Sequence, residues 1–217
     1  MGKVNKLPIA VLISGPRNHL HSLSEEAEHY EIVFVGSHQP ADLWLNTRGL
    51  PTLVTAADQF HYPLDAQNAL ADSIESSGAK LVVLAGFTET LQPEFLHRFS
   101  NRIIAIHASL LPNYPGSNSH QQAIDAGDDF HGCTVYLLNG DLGNGGFGAG
   151  PIIAQSLLPL LPGETTETLA PRVFRLEREL YPWVVNAIAS GGVMAKGGTM
   201  LSEEKKLEGR LRGFRIA

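Results

Sequence analysis

The side chains best suited to chemistry gather between positions 81 and 150. His107 ends the apolar run Ile103–His107, and His120 follows thirteen residues later. A histidine titrates near neutral pH, so one placed at a strand end can take and return a proton. Asp141 is the nearest acid in Asn139–Gly150, a stretch with six glycines in twelve residues that calls for either mobility or unusual backbone angles. Gly15-Pro16-Arg17-Asn18 follows an apolar run near the start. Arg17 there could hold an anion by its own charge, although Pro16 removes one backbone donor. The alternative is a turn carrying a solvated arginine. In Thr88-Glu89-Thr90 the carboxylate of Glu89 would repel a phosphate and could hold an amine. His120 is balanced between a site and a surface role, and His131, ahead of an apolar run, is expected to be structural. Two histidines thirteen apart, with no carboxylate at a fixed spacing, do not make a metal pattern, so no metal is expected. Ser109 lies in Ser-Leu-Leu-Pro, which lacks the pattern of a nucleophile elbow; its hydroxyl is expected to bond the backbone of the turn that follows.

These residues need a scaffold, and the apolar periodicity supplies one. Ile9–Ser14, Ile32–Val35, Pro51–Thr55, Leu81–Ala85 and Ile103–His107 read as strands, the first a continuous apolar run suited to the centre of a parallel sheet. Leu20, Leu23 and Ala27 recur at helical spacing, 41–48 allows a short helix, and Leu64–Ser77 predicts a helix with Leu64, Ala69 or Leu70, and Ile74 inward. Gln121–Ala126 reads as helical, and Thr134–Leu138 and Ile152–Leu157 as strands. A last helix starts at Thr165 or Thr166, is broken or kinked early by Pro171, and ends at Gly191–Gly192. Such alternation predicts an α/β class with a doubly wound, mostly parallel sheet. Ligands then sit outside the carboxyl ends of the strands, where His107 stands. No repeat, linker or composition break appears, so residues 1–217 are expected to form a single domain.

Composition narrows the function classes. The chain of 217 residues is 43% apolar, enough to bury a core, and its net charge of −6 argues against nucleic acid as the main partner. One cysteine, Cys133, excludes an internal disulfide framework and suits a reducing cytoplasm. No apolar run approaches the roughly 18 residues of a membrane span. A small-molecule ligand is the expected partner, with no nucleic acid, no membrane and a homodimer left open.

Ile106-His107-Ala108-Ser109-Leu110-Leu111-Pro112, then Tyr114-Pro115-Gly116, His120 and Gln122-Ala123-Ile124, resembles the signature of the folate-dependent formyltransferases. Ala85-Gly86-Phe87 after a strand and Gly150-Pro151-Ile152-Ile153 after the glycine-rich stretch extend the resemblance over residues 9–190, nearest to the purine-pathway members. It implies a Rossmann-like formyltransferase fold and 10-formyltetrahydrofolate as co-substrate, with the formyl group passed to an amine. The folate side would take Ala85, Gly86, Phe87, Thr88, Glu89, Asn139 and Gly140; the substrate side would take Gly15, Arg17, Asn18, Ser109 and His120. Family members use an asparagine two residues before the histidine and an aspartate from the later loop. Here those positions are Ala105 and Gly148, or Gly143 in another register of a loop about five residues longer than the family's. His107 and Asp141 are therefore the catalytic candidates. Formyl transfer at an altered centre is expected, in weakened or changed form. The alternatives are a catalytically degraded protein that binds folate or a small anion in a regulatory role, and a formyl hydrolase.

Overall fold

The structure, a computed structural model, describes residues 6–15, 18–39, 49–55, 60, 62–138, 149–196, 199–202 and 214–216. Arg17, Asn139, Gly140, Asp141 and Gly148, with the helix expected over 41–48, lie outside the described residues. The chain divides into two compact units, Met1–Ala105 with Leu138–Gly140, and Ile106–Leu137 with Asp141–Ala217.

In the first unit β1 (Leu7–Ile13) leads to α1 (Leu20–Glu25), β2 (Tyr30–Ser37), β3 (Thr52–Val54), α2 (Pro63–Ser76), β4 (Leu81–Leu84), α3 (Pro93–Arg98) and the start of β5 (Ile103–His107). The strands lie in the order β5-β4-β1-β2-β3 and every pairing among them is parallel. β1 is central because its residues from Ile9 to Leu12 are wholly buried, and only a strand covered on both faces can be apolar throughout. The order runs outward from β1 through β2 and β3, then returns to the other side with β4. That reversal puts a topological switch point between the carboxyl ends of β1 and β4.

α2 begins at Pro63, whose missing N–H costs nothing in the first turn. Its buried face is Ala66, Leu70 and Ile74 at a spacing of four, with Gln67 beside them. Leu64, expected inward, is 39% exposed: it sits in the first turn, off that stripe. Each fully buried leucine or isoleucine here contributes roughly 1.5–3 kcal/mol relative to exposure.

The second unit takes the end of β5 and adds α4 (Ser119–Ala126), β6 (Phe130–Leu138, its last residue in the first unit), β7 (Ala149–Pro159), α5 (Thr166–Ala189), β8 (Val193–Lys196), β9 (Thr199–Ser202) and β10 (Phe214–Ile216). β7 lies beside β6 and pairs antiparallel with β10, and β8 and β9 form a hairpin. Among the described residues after α5 these three strands go beyond the sequence expectation, which assigned no element past Gly191–Gly192. α5 starts beyond Thr165, whose N–H donates to Thr168 Oγ1 at 3.0 Å. It continues past both Pro171 and Pro182, so Pro171 does not end it. Pro171 is the sixth residue of α5, so its missing N–H forfeits the bond to the Glu167 carbonyl, and Leu169, Val173, Leu180 and Val184 keep a buried stripe across that gap. The alternating strands and helices make this an α/β fold with a mostly parallel, doubly wound sheet, as the periodicity predicts.

Close approach of β6 to β7 depends on Gly132. A Cβ there would meet the Ser156 carbonyl oxygen at 1.9 Å and Leu157 Cα at 2.9 Å, both backbone atoms that cannot swing aside. Gly132→Ala should therefore cost about 1–3 kcal/mol, as overpacking does. In thermal unfolding this lowers the midpoint by several degrees, while Gly116→Ala, which meets nothing within 4 Å, leaves it nearly unchanged. An unchanged midpoint for Gly132→Ala would contradict the packing of these strands.

Candidate active site

β5 delivers His107 to the second unit half-buried, two residues after Ala105, which is 5% exposed. Residues two apart on a strand alternate back to the same side of the pleat. Alanine offers neither donor nor acceptor there. His107 Nε2 lies 2.9 Å from the carbonyl oxygen of Tyr114. A carbonyl only accepts, so Nε2 carries the proton in this contact and Nδ1 is the nitrogen with the lone pair in the neutral ring.

Buried hydrogen bonds shape the loop that presents this carbonyl. Ser109, fully buried, donates its hydroxyl to Asn113 O at 2.7 Å. Its own carbonyl accepts from Thr134 Oγ1 at 2.6 Å, and that hydroxyl accepts from Leu111 N–H at 3.0 Å and Gln155 Nε2 at 2.9 Å. Gln155 Nε2 also donates to Leu111 O. Thr134 is fully buried in β6, so its oxygen pins the loop to a strand rather than to solvent. Ser119, at the start of α4, donates to Ala108 O at 2.7 Å.

His120, in the first turn of α4, meets His131 of β6, Nδ1 to Nε2 at 2.9 Å, with the rings edge to face. One ring must donate and the other accept. Burial lowers the pKa of both rings. For His131, 1% exposed, burial acts first and His120 second, and together they bring the value from 6.5 down to about 4. Glu177, on the buried stripe of α5, works the other way on His120 by favouring its protonated form.

At the switch point of the first unit, Ser14 follows β1 and Ala85–Thr90 follows β4. Ser14 Oγ accepts the Thr88 N–H at 2.9 Å and shares a hydrogen bond with His38 Nδ1 at 3.0 Å. His38 stands edge-on to Phe87, centroids 5.2 Å apart. Gly86, at φ +83°, makes the turn between strand and loop that a side chain would strain. Glu89 is oriented by Gln67 Nε2 at 3.3 Å, with His38 Nδ1 4.0 Å from its other oxygen. The same amide, 2% exposed, donates to Thr90 O and accepts from Gln92 N–H, both at 2.8 Å, so Gln67 fixes the whole 89–92 turn.

The candidates are divided between the two units. Gly15 has φ +68°, and Asn18 spends its amide locally: Nδ2 donates to Gly15 O at 2.7 Å and Oδ1 accepts from Leu20 N–H at 3.0 Å, which secures the entry to α1. Ser109 bonds the backbone of its own turn. His107 and His120 share the second unit, and Ala85–Glu89 belongs to the first. Among the described residues no group of three or more His, Cys, Asp or Glu is arranged to hold a metal, and no helix is long and apolar enough to cross a membrane. Gln67, Asp128 and Glu177, and the role of Tyr114, were not foreseen from the sequence. Only Glu177 left a usable signal, a charge four residues after Val173 on an otherwise apolar stripe.

The model of the family described as formyl transferase matches residues 7–185. Phosphoribosylglycinamide formyltransferase of Haemophilus influenzae is 32% identical over 206 residues, covering 92% of this chain and 95% of that protein. The solved phosphoribosylglycinamide formyltransferase of Coxiella burnetii superposes with a TM-score of 0.82 at 34% identity, over 92% of this chain and 94% of that one. A formyltetrahydrofolate deformylase of Burkholderia mallei gives 0.79 at 26% identity, over 92% of this chain and 70% of that one.

The His120–His131 pair makes stability depend on pH. An unfolded His131 takes up a proton below about 6.5, the folded one only below about 4. Between these values the unfolded state holds more protons, so stability falls as the pH drops through the window and returns as it rises, by on the order of 3 kcal/mol in all. Urea unfolding at pH 7 and pH 4.5 should show this loss in the native chain and a smaller one in His131→Gln. Equal losses in the two would contradict a neutral, buried His131.

Proposed function

The chain belongs to the formyl transferase family, and from that premise we propose that it handles the formyl group of 10-formyltetrahydrofolate at an altered centre carried by His107. The observation that supports this reading most is the pair at 105 and 107. The imidazole remains, held by the Tyr114 carbonyl, while the neighbour on its own face is alanine.

In formyl transfer the amine nitrogen bonds to the formyl carbon, the bond from that carbon to folate N10 breaks, and one proton passes from the amine to N10. The lone pair of His107 Nδ1 takes the proton from the attacking amine and returns it to N10, while Nε2–H stays with Tyr114. The acid that would usually hold the tautomer is replaced in that duty by a backbone carbonyl. The developing oxyanion receives no side-chain hydrogen bond from Ala105, where the family's asparagine would donate one. Loss of one such donor costs on the order of 10²–10³ in rate, so slow turnover follows. On the folate side Glu89 presents acceptors, which suits the amino and ring N–H groups of a pterin and repels an anion. Water in place of the amine would make the same centre a formyl hydrolase.

A second reading has its own support. Ala105, together with glycine at both registers of the loop acid, Gly143 and Gly148, suits a protein that binds folate or a small anion without turnover.

Ala105→Asn combined with Gly148→Asp separates the two readings. Formyl loss from 10-formyltetrahydrofolate would be followed by absorbance with glycinamide ribonucleotide, a simple amine or water as acceptor. The enzyme reading expects the pair of substitutions to raise the rate about 10²-fold or more, and His107→Ala to remove it. No turnover in the native chain and no gain in the double variant would leave the binding role.

A further inference from the structure

We propose that Asp128 is a positioning residue for His107, acting through Tyr114; the catalytic consequence rests on the reading of His107 as proton carrier. Three observations in the second unit carry it. Tyr114 accepts the His107 Nε2–H on its carbonyl at 2.9 Å. It holds a positive φ of 52°, a conformation that an aromatic residue keeps only when its surroundings impose it. Its phenol donates to Asp128 Oδ2 at 3.0 Å, and that bond makes the phenol harder to ionise.

Asp128 is itself fixed. It follows α4 through Gly127, at φ +69°, and its N–H donates to Ala123 O at 3.2 Å to close the end of the helix. The other end of α4 is tied to the residue after His107 by the Ser119 hydroxyl on Ala108 O. One helix thus brackets the catalytic loop from both sides, and the bracket ends on the carbonyl that decides the ring's tautomer. If Asp128 lost its carboxylate, the phenol would turn to solvent and Tyr114 could relax to negative φ. The carbonyl would then swing away from Nε2. With that acceptor gone the proton could move to Nδ1, the nitrogen that must receive the amine's proton.

Imidazole ¹⁵N NMR on the full chain tests this without needing turnover, with the His107 signals assigned by their loss in His107→Gln. The native protein should show a pyrrole-type Nε2 and a pyridine-type Nδ1. Asp128→Ala and Tyr114→Phe should both move His107 toward a mixture of tautomers, while Asp128→Asn, which keeps an acceptor oxygen, should hold most of the native pattern. If turnover is present, the first two variants should lower kcat with little change in KM. Tyr114→Phe removes a single hydroxyl, so it serves if Asp128→Ala fails to fold. A His107 pattern unchanged in the folded variants would overturn the proposal. A native tautomer with no formyl chemistry would count against the proton-carrier reading alone.

Discussion

Because a backbone carbonyl can only accept, the 2.9 Å contact between His107 and Tyr114 decides which ring nitrogen is protonated and which can act as a base. Much of the second unit is arranged around that one bond. β5 carries the histidine to its end, Thr134 of β6 and Gln155 of β7 pin the loop from below, and α4 holds the loop at Ala108 and at Tyr114. A main-chain group of this kind cannot be lost by substitution, only displaced.

The first unit follows a different constraint. Its strand order reverses beside β1, so the carboxyl ends of β1 and β4 stand next to each other and the segment after β4 must be shaped there. Gln67 shapes it from within α2, using one buried amide to satisfy two backbone groups and a carboxylate. The resulting polarity, acceptors at Glu89 and an imidazole at His38, differs from what an anion would seek.

Strand and helix identity was legible because buried parallel strands are apolar along their whole length and the helices keep a stripe. His107 was legible for the same reason: a polar residue ends an apolar run. Leu64 misled because periodicity does not say where the first turn sits relative to the stripe. Pro171 does not end α5, because the buried stripe on both sides of it carries the helix across the lost hydrogen bond. Tyr114 stands in the motif without any sign of its role and Asp128 left no trace, since their contribution lies in a carbonyl direction and a positive φ that residue types do not encode. Ala105 and Gly148 were plain in the sequence, yet their meaning depends on what else orients the histidine, which only the fold supplies.

Under the proposed function the chain takes the formyl-carrying folate even with alanine at 105 and glycine at 148. Calorimetric titration of the native protein with 10-formyltetrahydrofolate addresses it directly, because it reads binding whether or not turnover follows. The account predicts saturable one-to-one binding that survives His107→Ala and weakens in Glu89→Arg. Absence of saturable heat in a folded native chain would contradict it.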